Sequence, residues 1–485
     1  MKYFNYFLIL PCIALFACEK QAVKIPPPAT SNVAPTSRQV VYQQMDLIGF
    51  IHFTVNTFTD KEWGMGDEQP AIFNPSELDV EQWARVASET GMKELILTAK
   101  HHDGFCLWPS AYTEHSIKNS PYKEGKGDIV KEFTDACRKY GLQAGLYLSP
   151  WDRNHAAYGK PEYIEYYRNQ LTELLTNYGE ISEIWFDGAN GGTGYYGGAN
   201  EERRIDKLTY YDWPNTIALA KKLQPNIMIF SDAGPDVRWV GNEHGHAGET
   251  FWSTINSDSI VIGDADTKYL NTGDANGNSW IIGQCDVSIR PGWFYHAAED
   301  SLVKSPEDLM DIYYKSVGRN GILLLNLPPD RRGLIHENDI ASLATFKEIR
   351  DNIFATNLAS SKQAEADTYW YSSNNYIASN ITDGEFNTYW IADKGQSNAT
   401  ITINLKAETT FDHVLLQEFI PLGQRINSFI IEIEQDGKWI EIANGTTIGL
   451  KRILHFPEVT SSELKIKLET IGAEPAIAEV SIYKS

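Results

Sequence analysis

The sequence predicts an α/β chain: a TIM-like (β/α)8 barrel followed by a C-terminal antiparallel β-sandwich. Three observations carry this. Between about 45 and 335, short apolar and β-branched runs alternate with amphipathic helical stretches, as a closed parallel sheet requires. Two of those runs stop abruptly in polar clusters. Leu95-Ile96-Leu97 leads into His101-His102-Asp103, and Ile184-Trp185-Phe186 leads into Asp187. Strands whose C-terminal tips carry His and Asp are how a barrel presents chemistry. From about 357 the texture changes to short alternating runs, such as Thr400-Ile401-Thr402-Ile403-Asn404-Leu405 and Phe429-Ile430-Ile431-Glu432-Ile433. These suit a sandwich with one buried face.

In chain order, residues 1–18 precede the fold. Lys2 gives a positive start, 4–17 are apolar, and Leu15-Phe16-Ala17-Cys18 ends the stretch. This reads as a signal peptide, and its ending resembles a bacterial lipobox with Cys18 as the lipidated residue. The alternative is an ordinary signal peptide in which Cys18 is incidental. Residues 19–40, rich in Pro, Ser and Thr, read as a flexible tether. The barrel is expected over 41–355, with strands at 49–54, 93–99, 142–148, 182–186, 226–231, 280–284 and 321–326 and a weaker one near 238–241. Helices are expected at 77–90, 128–140, 161–178, 214–223 and 305–317. In the second of these, Ile129, Phe133, Ala136 and Cys137 fall on one face. Asp79 and Asp128 sit near helix starts, and Gly141 just past a helix end. An open doubly wound sheet would give similar alternation, but no Gly-rich phosphate fingerprint follows the first strand. A last helix, 337–353, leads into the sandwich, 356–485.

A net charge of −22 argues against nucleic acid as a partner, since nothing would neutralise phosphates. Once Cys12 is removed and Cys18 lipidated, Cys106, Cys137 and Cys285 remain, without a zinc spacing or an even count for pairing. The 13 Trp and 25 Tyr suit core packing or the C–H faces of sugar rings.

The strand tips collect one kind of chemistry. They offer His52 with Glu62 and Trp63; His101, His102 and Asp103 with Trp108; Tyr147, Ser149 and Trp151; Trp185 and Asp187; then Glu243; and last Arg290 and Trp293. Carboxylates, imidazoles and indoles together suggest glycoside hydrolysis, in which one carboxylate attacks or positions water and another protonates the leaving oxygen. Asp232, Asp236 and Glu249 compete with Glu243 for the acid role. Asp103 reads as an orienting partner. Trp239 and Trp252 read equally well as plain core. A metal held by His101, His102 and Asp103, with Asp187 and Glu243 as further donors, is the rival. Adjacent histidines point apart on a strand and share an ion only on a loop. No Gly-x-Ser-x-Gly elbow supports a serine hydrolase.

The stretches Gly49-Phe50-Ile51-His52-Phe53, Lys100-His101-His102-Asp103-Gly104-Phe105 and Trp185-Phe186-Asp187-Gly188 resemble the α-L-fucosidases of glycoside hydrolase family 29. Residues 234–243 and Leu148-Ser149-Pro150-Trp151-Asp152 are similar to the branch that prefers α-1,3/1,4-linked fucose in branched glycans. The resemblance implies an exo-acting, retaining fucosidase with Asp187 as nucleophile and Glu243 as acid/base. It also implies a fucose pocket of His52, Glu62, Trp63, His101, His102, Tyr147, Trp185 and Arg290, without metal or cofactor. A departure is the long segment 191–198 beside Asp187. The tail, with Asn380-Ile381-Thr382-Asp383-Gly384 and Thr388-Tyr389-Trp390, resembles a galactose-binding-like, discoidin-type module, which binds sugar in some proteins and braces a barrel in others. The expected partners are a fucosylated oligosaccharide or glycoconjugate and, through Cys18, a membrane at the periplasm or outer surface of a Gram-negative bacterium. The competing reading is a glycan-binding lipoprotein with a degenerate barrel.

Overall fold

The computed structural model describes Met1 and residues 25–187, 193–196, 198 and 200–485. The expected signal peptide, Cys12, Cys18 and residues 19–24 of the tether lie outside the described residues. Eight parallel strands close into a barrel: β1 (Leu47–Ile51), β2 (Glu94–Lys100), β3 (Gln143–Leu148), β4 (Glu183–Trp185), β5 (Met228–Ser231), β6 (Val237–Trp239), β7 (Ile282–Ser288) and β8 (Ile322–Asn326). Each pairs with its neighbours in sequence. Closure is through β1 and β8, from Leu47↔Leu323 to Phe50↔Asn326.

The strands alternate their side chains between two apolar layers. Ile48, Phe50, Ile96, Trp185, Met228, Phe230, Ile282 and Leu324 fill the interior. Leu47, Ile51, Leu95, Leu97, Ile184, Ile229, Leu323 and Leu325 face the outer ring. That ring includes α2 (Val80–Thr90), α3 (Ile129–Lys139), α4 (Glu162–Asn177), α5 (Trp213–Leu223), α6 (Pro306–Lys315) and α7 (Glu337–Ile353). The Asp79 and Asp128 side chains accept backbone N–H bonds at the starts of α2 and α3, and Gly141 takes a positive φ of 71° just past α3. The alternation has one gap. β6 follows β5 after residues 232–236 with no helix between, and a 3-10 turn, Ser257–Ser259, and the short α-helix Thr267–Thr272 lie between β6 and β7. The segment 240–281 is dense in Gly, Asp, Asn and Ser, residues that favour turns over helix.

The C-terminal domain is a seven-stranded antiparallel sheet over its own apolar core, which includes Trp390, Ile401, Phe411, Phe429, Ile466 and Val480. Its long strands Asn398–Glu418 and Arg452–Thr470 pair with register shifts near Asn404 and Phe411, where bulges bend them. It is tied to the barrel by polar contacts. Asn320 Oδ1 accepts from Leu450 N–H at 2.8 Å, Gln424 Nε2 donates to Phe251 O at 2.9 Å, and Tyr314 O–H meets His413 Nε2 at 2.7 Å.

The expected tether needs correction over 25–40. Trp370 Nε1 donates to Pro26 O at 2.8 Å, Arg425 donates to Ala29 O, and Ser31 N–H donates to Leu422 O at 2.7 Å, so this segment lies along the C-terminal domain. It then enters α1 (Ser37–Gln43), capped by Thr36, which plugs the floor of the barrel. Hydrogen bonds from the sheet domain to the backbone of this segment, two from side chains and one from a main-chain carbonyl, hold it down and are invisible in a Pro-rich composition.

Candidate functional site

The pocket opens at the C-terminal ends of the strands and encloses about 290 Å³. It is lined by Phe50, His52, Glu62, Trp63, His101, His102, Trp185, Asp187, Phe230, Asp232, Trp239, Glu243, Gly263, Asp286 and Trp293. The two-residue period puts these groups there. His52 continues the inward phase of Ile48 and Phe50, Asp187 that of Trp185, Asp232 that of Met228 and Phe230, and Asp286 that of Ile282 and Gln284.

The floor is aromatic: Trp185 stacks on Phe230 at 3.9 Å, and its Nε1 donates to Gln284 Oε1 at 2.7 Å. Tyr147 lies buried beneath the pocket and donates its O–H to Asp187 Oδ2 at 2.7 Å. His102 Nε2 stands 3.6 Å from the same oxygen. Asn326 donates through Nδ2 to Trp293 O at 2.8 Å, so its Oδ1 is an acceptor, and His52 Nδ1 must donate to it at 2.8 Å. That network leaves His52 Nε2 as an open acceptor. Burial lowers the His52 and His102 imidazoles to about 4, and His101 well below its ordinary value, so all three are neutral near pH 7. Neutral rings suit hydroxyl groups, to which they offer lone pairs.

Glu62 is held at the rim. Its oxygens accept from Trp293 N–H at 2.9 Å and Phe294 N–H at 3.1 Å, and Oε1 meets His296 Nε2 at 2.7 Å. Trp63 is 54% exposed and packs edge-on to His102 and Trp151. Glu243 is exposed, with Trp293 Nε1 3.3 Å from Oε2. Asp103 accepts from Thr54 O–H at 2.7 Å and Phe105 N–H at 2.6 Å, so it braces its own loop, while His102 Nδ1 meets Ser149 Oγ at 2.7 Å instead. Burial raises Asp103 to about 7.

Arg290 is a correction. Its side chain is buried, bonded through Nε to Asp339 at 3.0 Å and through a terminal nitrogen to Asp300 at 2.9 Å, outside the pocket. It anchors α7 and the loop beyond β7. Two competitors for the acid role also leave the field. Asp236 pairs with Arg38 and Lys221, and Glu249 with Arg319 and Arg452. Asp232 stays in the pocket. Asp286 was missed, because the expected strand stopped at 284. Its signal was legible: Gln284, Asp286 and Ser288 are polar on one face of a strand that should be apolar.

His101, His102 and Asp187 bring donor atoms within 4.8 Å of one another and are the described residues placed to hold a cation. Both histidines lie past the end of β2, on a loop, where adjacent imidazoles converge with ring centroids 4.1 Å apart. Cys106, Cys137 and Cys285 are buried free thiols. The segment expected to be long beside Asp187 forms a hairpin of Thr193–Tyr196 with Glu201–Arg204; its residues 191, 192 and 197 lie outside the described residues.

A closed parallel barrel whose mouth combines separate carboxylates, neutral imidazoles and indoles defines a glycosidase of the barrel class. Comparison with known proteins gives the family. The alpha-L-fucosidase family model matches residues 36–349, and an F5/8 type C domain matches 359–480. A putative alpha-L-fucosidase 1 of Oryza sativa subsp. japonica is 43% identical over 477 residues, covering 98% of this chain and 89% of its own. Among solved structures, a glycoside hydrolase 29 family member from an unknown rumen bacterium aligns at TM-score 0.83 with 46% identity, over 94% of this chain and 78% of that one. A Ruminococcus gnavus GH29 fucosidase in complex with fucose aligns at TM-score 0.85 with 34% identity, over 95% and 96%. This chain belongs to the α-L-fucosidases of glycoside hydrolase family 29.

Proposed function

We propose that the enzyme removes terminal L-fucose by a retaining double displacement, with Asp187 as nucleophile and Glu243 as acid/base. The observation that carries the reading is Asp187 itself. One oxygen is held by the Tyr147 hydroxyl, in a cavity whose rings His52, His101 and His102 are neutral acceptors for sugar hydroxyls. Attack by Asp187 at the anomeric carbon expels the leaving oxygen, which takes the proton of Glu243. Glu243 then activates water, and the glycosyl ester opens with a second inversion. The exposure of Glu243 suits a group that must exchange protons with solvent between the steps. The Ruminococcus gnavus enzyme with bound fucose supports fucose as the sugar of this pocket.

The preferred linkage is α-1,3/1,4 in branched glycans, on the strength of the segments 148–152 and 234–243. The N-terminal stretch ending at Cys18 makes the enzyme a lipid-anchored protein of the periplasm or outer surface of a Gram-negative cell. A non-catalytic lipoprotein is the weaker reading, because a binder has no use for both Asp187 and Glu243 in one pocket.

The test is proton NMR of the first-formed fucose, run on a Lewis-type trisaccharide, an aryl fucoside and an α-1,2-linked glycan. Initial α-fucose, released chiefly from the branched substrate, is the expected result. Initial β-fucose would sink the retaining mechanism. Equal cleavage of all three would move the enzyme to a broad-specificity group.

A further inference from the structure

Asp187 is met by Tyr147 and His102 just past the end of a strand. Glu243 stands four residues past β6, on backbone that is neither helix nor strand. A proton donor on irregular backbone needs something else to fix it, since a displacement of about 1 Å at a reacting group costs on the order of 10²-fold in rate. The residues around Glu243 supply that restraint.

The two ends of the loop are fixed to the barrel. Val240 is buried with Ala247, Phe251 and Cys285. Ala247 donates its N–H to Lys315 O, at the last residue of α6, at 2.9 Å, and its carbonyl accepts from Arg319 at 3.0 Å. Between these ends Gly245 turns with a positive φ of 74°, and a Cβ there would lie 2.9 Å from Val287 and from Ile312, so the loop rests on β7 and α6. Within the loop the half-buried Asn242 side chain takes the place of a strand partner. Its Oδ1 accepts from His244 N–H at 3.1 Å and from His246 N–H at 3.3 Å, and its Nδ2 donates to His246 O at 2.9 Å. Among the described residues neither of those N–H groups bonds to a main-chain carbonyl. Asn side chains often close turns in this way. This turn carries the candidate acid, whose carboxyl end is met separately by Trp293 Nε1 at 3.3 Å.

We infer that Asn242 is the positioning residue of Glu243: its carboxamide closes the loop 242–246 and sets the direction in which the Glu243 side chain leaves the backbone, toward Trp293. This deepens the proposed function and rests on Glu243 being the acid/base. Asn242 does not line the pocket, so it acts on the reaction only through the proton transfers of Glu243. Loss of the clamp therefore costs most where the leaving oxygen needs a proton and little where it does not.

The experiment compares kcat/KM on a Lewis-type trisaccharide and on a dinitrophenyl fucoside, in the wild-type and Glu243→Ala backgrounds. Asn242→Ala is expected to lower the trisaccharide value by about ten- to a hundredfold and the dinitrophenyl value by less than about threefold. In the Glu243→Ala background the same substitution should change neither value by more than about twofold, because the group it positions is gone. Asn242→Asp keeps the acceptor for both N–H groups and should recover most of the trisaccharide loss. Its added negative charge should also move the alkaline limb of the pH–rate profile upward, since a like charge beside Glu243 holds the acid protonated. Unfolding midpoints separate misfolding from lost positioning, and Asn242→Ser, which keeps a shorter acceptor, serves if Asn242→Ala does not fold. Equal losses on both substrates, or a further loss in the Glu243→Ala background, would overturn the inference and leave the fucosidase reading standing. An Asn242→Asp enzyme as poor as Asn242→Ala, with an unmoved alkaline limb, would do the same. If Glu243→Ala itself loses both substrates equally, Glu243 is not the acid, and the inference falls with that assignment.

Discussion

β4 starts at one carboxyl, Glu183, and leads to another, Asp187, two residues past its end, and their surroundings are opposites. Glu183, at the floor, has a side chain closed off from solvent; it accepts from Tyr42 O–H and from Gln284 Nε2 at 3.3 Å. Burial first, and the charge of Glu94 second, push it well above the usual carboxylate range. Asp187, at the mouth four residues on, keeps 22% of its side chain exposed and meets Tyr147 and His102. The same residue class is thus a buried structural group held toward its neutral form at the start of β4 and the candidate nucleophile just past its end. The sealing helix α1 makes the difference: Tyr42 enters the barrel interior, and Gln39 and Gln43 bond to Trp280 O and Asn320. A carboxyl becomes chemically useful where the barrel is left open.

The comparison breaks most visibly at the mouth. Asp187→Ala should lower kcat/KM by about 10⁴-fold or more, as loss of an acting nucleophile does, while the thermal midpoint moves by only a few degrees. Retained turnover in that variant would unseat the assignment. Glu243→Ala should cost about 10²–10⁴-fold on a saccharide, whose leaving oxygen needs a proton. On a dinitrophenyl fucoside the loss should be much smaller, with azide restoring part of it. An equal loss on both substrates would show that Glu243 is not the acid.

At the floor the sign reverses. Glu183→Ala should leave kcat/KM within a few-fold but destabilise the barrel by about 2–4 kcal/mol, because it opens a cavity and strands the Tyr42 hydroxyl and a Gln284 N–H. Glu183→Gln should recover most of that. A urea midpoint checks both, and a Glu183→Ala enzyme that is stable but inactive would show that the path from Gln284 to Trp185 matters to catalysis more than to folding.

Most of the mouth was legible in the sequence because apolar strands advertise their ends. His52, His101, His102, Trp185 and Asp187 each continue or terminate a run whose phase is set by buried neighbours. What was not legible depends on partners far away in the chain. Arg290 looks like a pocket cation until Asp339, 49 residues on, takes it. The Pro-rich segment looks like a tether until Trp370 and Leu422 bond its carbonyl and amide groups. β6 was weak because three residues between turns carry almost no periodic signal. Asp286 was lost to a strand boundary, which local patterns place least well.

The smallest effect is the most discriminating about the floor. Glu94 lies beside Glu183, accepts from Ser182 O–H, and is pushed by burial up to about 7. A carboxyl whose folded value lies above its unfolded value near 4.5 binds its proton more tightly in the folded state. Its favourable contribution is therefore complete below about pH 4.5 and fades as pH rises through 7. Glu94→Gln fixes the neutral form permanently. The difference in unfolding free energy between variant and wild type should then shift in favour of the variant as pH climbs from about 4.5 to above 7, by an amount on the order of 1–3 kcal/mol. A difference that stays flat with pH would mean that the floor, like the mouth, admits enough water to keep Glu94 ionised, and the contrast between the start of β4 and the mouth beyond it would lose its physical basis.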